Sequence, residues 1–331
     1  MIRRHLLAMF AAAALLPAST AFAEPIQLRV NYSVVPPHLV PILFMKKDLI
    51  KHEGKSFTNK YIYTRGSAVV LQALAAQEMD LGVLSIPAFA NGIQNAKQPL
   101  VAIADLTQDG PWFSAVFAVK EDSPIKSIKD LKGKSIGTNA VGGGLDGAVR
   151  AMLLKHGLKP DTDVRFVEAG FGAQEAILRE GKVDVATFAA PFWARAKTKG
   201  GLRPLFTMKD AIGNNQHLFW VARKDFMEKN RAVLVDFFED YIRAQRWALK
   251  PENRKELLEL VGKFTKRPPN SFDWALKEGT GYYRGKDLRL DRGTFQRTAD
   301  ALKQVGFLKT KFDTAPHIDE SIIIEAAKRL N

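Results

Sequence analysis

Ala73-Leu74…Asp80-Leu81…Ile86-Pro87 is followed, 104 residues further on, by Ile177-Leu178…Asp184-Val185…Ala190-Pro191. In both stretches an apolar pair sits late in a helix-like segment, an aspartate opens a short apolar run, and a proline follows where the next helix begins. Gly66 and Gly170 precede the two stretches at the same offset. The surroundings extend the repeat. The first copy reads as strands over 26–32, 57–63 and 81–84, with helices over 38–52, 68–77 and near 88–96. After a strand over 115–119, the second copy reads as strands over 135–138, 164–168 and 185–188, with helices over 145–156 and 174–180. Such alternation predicts an α/β fold of parallel sheets with helices on both faces. Two copies predict two α/β lobes: 24–112 with 222–331 as lobe 1, and 113–221 as lobe 2. A two-strand hinge is expected where extended apolar chain crosses between them, near 112–119 and 217–222. From Asp225 onward the chain reads as mostly helical and is expected to pack back on lobe 1.

The N-terminus sets the compartment. Arg3, Arg4 and His5 precede an apolar run over 6–16, Pro17 breaks it, and Ala21-Phe22-Ala23 offers small residues for cleavage before Glu24. This reads as a cleaved signal peptide over 1–23 and predicts a soluble periplasmic protein. The run is well short of the roughly 20 residues that span a bilayer. There is no cysteine, which excludes disulfides, thiolate catalysis, cysteine-held metals and a lipidated N-terminus. The formal charge of +14 is scattered as single Lys and Arg residues. It reads as a solvated basic surface with mild attraction for anions. No basic cluster interleaved with aromatics suggests nucleic acid.

In open α/β sheets ligands bind beyond the carboxyl ends of the strands, where helix N-termini converge. The loops at those ends supply the candidate ligand contacts. Lobe 1 offers Ser33, Arg65-Gly66-Ser67 and Ser85; lobe 2 offers Asn139, Gly143, Gly144, Phe171 and Ala190. Arg65 ends a strand, so its guanidinium is expected either to pair with a carboxylate or sulfonate in the cleft or to lie on the surface. Ser67 reads as a helix N-cap. Trp112 and Phe113, beside the first crossing, read as lining aromatics, whereas Phe188 and Trp193 read as lobe core.

Gly142-Gly143-Gly144-Leu145-Asp146-Gly147 satisfies G-x-G-x-x-G between a strand and a helix, with Glu168 about 20 residues beyond, as a dinucleotide site requires. Its place mid-chain in an exported protein favours another role. The glycines would let backbone approach a small ligand, and the helix N-terminus would offer N–H groups to an anion. Gly133-Lys134-Ser135 lacks the leading glycine of a phosphate loop, since position 128 is Ile. His38, His52, His156, His217 and His317 show no metal spacing, and no G-x-S-x-G occurs. No catalytic residue, metal or cofactor is assigned, and the chain is read as a binding protein rather than an enzyme.

Several segments together resemble a known family: Gly66-Ser67 with Leu71 and Leu74, Met79-Asp80-Leu81-Gly82, Ser123-Pro124-Ile125, the run Ser127-Ile128-Lys129-Asp130-Leu131-Lys132-Gly133-Lys134-Ser135-Ile136-Gly137, and Gly181-Lys182-Val183-Asp184-Val185. They are similar to the periplasmic substrate-binding proteins of nitrate, sulfonate and taurine ABC importers. The resemblance implies a type II periplasmic binding protein fold, a monomer, and an ABC permease with its ATPase as partners. Because members of that family bind anions, pyrimidines and aromatic acids on one scaffold, the ligand stays open. The leading expectation is a small organic anion, a sulfonate or carboxylate with an aromatic or apolar body. The alternative is pyrimidine or thiamine-precursor binding, or a synthase-like enzyme on the same scaffold, although that enzyme family carries a cysteine-rich motif absent here. Transport and sensing are not separated by the sequence.

Overall fold

The computed structural model describes residues 24–34, 37–273 and 281–331; the expected signal segment over 1–23 lies outside them. The strands are β1 (Ile26–Tyr32), β2 (Phe57–Tyr63), β3 (Gly82–Leu84), β4 (Leu100–Asp109), β5 (Val116–Lys120), β6 (Ser135–Thr138), β7 (Arg165–Glu168), β8 (Val185–Phe188), β9 (Leu202–Thr207) and β10 (Asn215–Arg223). In one lobe β1 pairs in parallel with β2, a bridge from Val30 to Leu81 sets β3 beside β1, and β10 lies antiparallel between β3 and β4. The order is therefore β2-β1-β3-β10-β4. The other lobe has the order β7-β6-β8-β5-β9, with β5 antiparallel to both neighbours. Position for position the two sheets match.

The sheets are mixed, not wholly parallel as the alternation predicts. The cause is the double crossing. The chain leaves the first sheet after β4 and enters the second with β5; it leaves the second after β9 and re-enters the first with β10. A strand that carries the chain away from the hinge opposes the one that brings it back. The passages run over 110–115 and 208–214, and the second contains the short helix α7 (Met208–Ile212), so the hinge is not two extended strands. The apolar segment expected to cross near 217–222 is the middle of β10. Flanked by β3 and β4, it is buried on both faces and shows no alternation.

The helices are α1 (Val40–Leu43), α2 (Ser67–Ala75), α3 (Ile86–Gln94), α4 (Gly144–Lys155), α5 (Gln174–Arg179), α6 (Ala190–Thr198), α7 (Met208–Ile212), α8 (Lys224–Lys229), α9 (Arg231–Ala248), α10 (Arg254–Thr265), α11 (Arg292–Gln304) and α12 (Ser321–Lys328). The helix expected over 38–52 is reduced to α1. The amides of Lys51, His52 and Glu53 all turn to the carboxylate of Asp240 on α9, at 2.8, 2.9 and 3.3 Å, so they do not continue a helical ladder. α9 buries Leu234, Phe237, Phe238, Tyr241 and Ile242 against the first sheet, and α12 packs beside it. The C-terminal helices thus complete the first lobe.

The sequence repeat has a physical content. Leu74 and Leu178 are fully buried at equivalent places on α2 and α5. Asp80 accepts the backbone N–H of Arg29 on β1 at 2.9 Å, and Asp184 accepts that of Ser135 on β6 at 2.8 Å. Each aspartate returns its own N–H to the same residue's carbonyl, at 3.0 and 2.9 Å. The carboxylate therefore ties β1 in one lobe and β6 in the other to the start of the strand that follows the helix. Replacing Asp184 with Ala strips the Ser135 amide and hydroxyl of their acceptor. The expected loss is about 1–3 kcal/mol, typical of a buried donor left unpaired, read as a lower urea midpoint, with Asp184→Asn retaining part of it.

Candidate functional site

Four helices start at carboxyl ends of strands on the side where the lobes face each other: α2 after β2 and α3 after β3 in the first lobe, α4 after β6 and α6 after β8 in the second. Their N-caps are Gly66, Ser85, Gly143 and Ala189, and none of the four is closed by a side-chain cap. Ser67, expected as a cap, is instead the first residue of α2. Its hydroxyl accepts the Ser85 N–H at 3.0 Å, tying the starts of α2 and α3 together.

The lobes meet at glycines. A Cβ on Gly66 would lie 2.9 Å from the Ala140 Cβ and 3.0 Å from the Asn139 amide nitrogen; one on Gly144 would lie 2.9 Å from the Ser85 Cβ. Gly66 has φ 170°, extended backbone that any residue adopts, so space and not conformation requires glycine there. Across the same contact the Asn139 side-chain amide donates to the Arg65 carbonyl at 3.0 Å.

Behind this contact lies a cavity with about 600 Å3 of empty space, reached by residues of both lobes. Of the residues predicted from sequence, Ser33, Gly66, Ser67, Asn139, Gly144 and Phe171 line it. Six others do not. The Arg65 side chain is exposed, and the residue enters the site only through its carbonyl. Ser85 is buried behind Ser67 and Gly144. Gly143 caps α4, and Ala190 follows the lining residue Ala189. Trp112 and Phe113 stand edge-on to Tyr283 and Tyr282, each at 5.1 Å between ring centres, and so support the wall from the hinge side.

Sequence reasoning missed Asn31, His38, Thr64, His217 and Tyr282, all of which line the cavity. Asn31 donates to Thr64 Oγ1 at 2.9 Å and accepts the Val83 N–H at 3.3 Å, joining the ends of β1, β2 and β3. His217 stacks on Tyr282 at 5.0 Å. Among the described residues, three that line the cavity, each more than nine-tenths buried, hold a polar atom without a hydrogen-bond partner: His38 Nδ1, His217 Nδ1 and Asn139 Oδ1. The Tyr282 hydroxyl faces the Ala190 backbone. Valine, leucine and phenylalanine side chains supply the remaining wall. Among the described residues no acidic or basic side chain lines the cavity, its two histidines being neutral at pH 7.

Burial governs the titration of the surrounding groups. It pushes His38 down to about 3, with help from the charges of Arg284 and His217, and His217 down to about 4. It pushes Asp105 and Asp109 up to about 7, against the opposing hydrogen bonds of Gln216 and Ser114. Unfolded histidines titrate near ~6.5 and unfolded aspartates near ~3.9. As pH falls from about 7 to 4, the unfolded chain gains protons on its histidines that the folded one refuses, and that contribution is lost. The two aspartates act oppositely: the folded state holds their protons up to about 7, so their contribution is lost as pH rises through 7. His217→Gln removes one acid-side loss. Its urea midpoint relative to the parent protein is expected to rise as pH is lowered from 7 to 5, and a constant offset would contradict the burial account.

The chain's likenesses follow the same plan. Residues 23–262 match the model of the NMT1-like family. A protein of Escherichia coli strain K12 named for aliphatic sulfonates binding is 29% identical over 197 residues, covering 59% of this chain and 58% of that relative, a little over half of its length. A protein of Haemophilus influenzae named for thiamine biosynthesis is 25% identical over 297 residues, 86% of this chain and 88% of that one. Among solved structures, the alkanesulfonate-binding protein SsuA from Xanthomonas axonopodis pv. citri, bound to MOPS, superposes with a TM-score of 0.69 at 18% identity, over 90% of this chain and 99% of that chain. Among the described residues no helix is long and apolar enough to cross a membrane. With the family model spanning most of its length and both lobes of the fold in place, the chain belongs to the NMT1-like family and has the two-lobed periplasmic binding protein fold.

Proposed function

We propose that this protein captures a small organic anion, a sulfonate or carboxylate with a compact apolar body, and delivers it to an ABC importer. The observation that carries this reading is the convergence of three helix N-termini without side-chain caps, α2 from one lobe and α4 and α6 from the other, on one cavity that no charged side chain lines among the described residues. A helix N-terminus presents N–H groups and the positive end of its dipole, equivalent to roughly half an elementary charge. Several such ends in a cavity partly shielded from water stabilise an anion with no counter-ion. Val70, Val83, Leu145 and Phe171 would take the apolar body, and Ser33, Ser67 and Asn139 would supply further hydrogen bonds. Gly143, Ser85 and Ala190 would act through the helix starts they form, and Trp112 and Phe113 by holding Tyr282 and its neighbour in place. The sulfonate named for the Escherichia coli relative agrees with this class. A signal peptide over 1–23, a periplasmic address, a monomeric state and a permease with its ATPase as partners belong to the same proposal.

The second reading is recognition of a pyrimidine or thiamine precursor. It is favoured by the neutral His38, His217 and Asn139, whose unpartnered atoms suit the edge of a neutral heterocycle, and by the Haemophilus relative. Ser67 separates the two. Ser67→Ala removes only the hydroxyl, whereas Ser67→Pro also removes the backbone N–H at the first helical position, where proline is tolerated. By calorimetry the proline variant is expected to bind a small sulfonate about ten- to a hundredfold more weakly than the alanine variant, the worth of a charged hydrogen bond. Arg65→Ala is expected to stay within about twofold of the parent. Equal affinities for the two Ser67 variants, or tight binding of a pyrimidine with every anion silent, would contradict the anion reading.

A further inference from the structure

The inner cavity has a neighbour. Val34 lines both it and a second, more open hollow of about 1430 Å3 between α6 of one lobe and the β2 and α10 side of the other. The two spaces also share a wall. Phe171, which lines the inner cavity, stacks on Phe192 of the outer one with ring centres 5.6 Å apart and planes 9° from parallel. Tyr63 and Phe272 line the outer hollow from the other lobe, with Thr265, Arg267 and Ser271 beside them. Tyr63 is 57% exposed, a large ring left uncovered at the end of β2 although Tyr32 packs edge-on against it at 5.6 Å. Arg195, also a lining residue, lies over the Phe192 ring at 5.7 Å with its guanidinium 3.4 Å from Glu175, which holds that charge. The lobes, which touch at Gly66 and Gly144, leave room here for matter continuous with whatever fills the inner cavity.

We infer that the outer hollow is a second subsite of the cleft, which takes the alkyl tail of a solute whose anionic head lies among the helix N-termini. The inference rests on the anion reading above and deepens it: the substrate class becomes long-chain organic anions, not only compact ones. A tail that leaves the inner cavity past Val34 runs between Phe192 and Tyr63. There each methylene is withdrawn from water, which should strengthen binding about three- to fourfold per carbon, as for other buried CH2 groups.

The test is calorimetry of the purified protein with linear alkanesulfonates of increasing length, each below its micelle concentration. Affinity is expected to go on rising about three- to fourfold per methylene beyond the short members. Ala194→Trp, which fills the hollow from α6, should abolish that rise while leaving the short members within twofold. Tyr63→Ala, at a position 57% exposed, should reduce it. Short members that bind with a profile flat or falling at greater length, or a rise that survives Ala194→Trp, would overturn the outer subsite and leave the anion reading standing. Binding by no member of the series would overturn both.

Discussion

The architecture depends on how closely the two lobes can approach, and that is set at Gly66 and Gly144. A single Cβ at either place would fall within 2.9 Å of an atom of the facing lobe, a distance that forces something to move. With hydrogen there instead, the start of α2 lies against the Asn139-Ala140 loop, and the start of α4 lies against Ser85. The consequence is electrostatic. Helix N-termini from two separate sheets share one partly closed space between the lobes, and N–H groups act more strongly there than at an open surface. The G-x-G-x-x-G pattern serves this contact; its glycines admit the opposite lobe.

The hinge is tied as firmly as the cleft. Asp109, at the end of β4, accepts the Ser114 hydroxyl at 2.7 Å and the Ala115 N–H at 3.0 Å, and Ser114 Oγ in turn accepts the Lys209 N–H from the other passage at 2.8 Å. Gly110 turns between them with φ 107°, packed against Asn214. Phe113 within the first passage touches Tyr282, and Tyr282 lines the cavity. A change in cavity contents and a change in hinge angle therefore act on one tyrosine.

The two-lobed fold is legible because its repeat is carried by residues with a task in each copy. Asp80 and Asp184 tie neighbouring strands together, and Leu74 and Leu178 fill a core. β4 and the place of β10 are not legible, because strands buried on both faces lose the period-2 signal. The end of the helix expected over 38–52 is lost for a reason no local window contains, since the carboxylate that captures the amides of Lys51 and His52, Asp240, is almost two hundred residues away. At the site, the loop residues after strands were within reach of the sequence, for that is where βα units place ligands. His38, His217 and Tyr282 were not. They come from three distant segments, and only tertiary packing brings them to one wall. Arg65 shows the complementary limit: its position at a strand end is readable, but the direction of its side chain is not.

The central claim is that an anion is held by helix N-termini of both lobes at once. The most direct measurement is backbone amide hydrogen exchange at Ser67 and Leu145, with and without a small alkanesulfonate. The account predicts that both amides, one from each lobe, are slowed together by the ligand. Slowing confined to one lobe, or none at either amide while the ligand is bound, would contradict it.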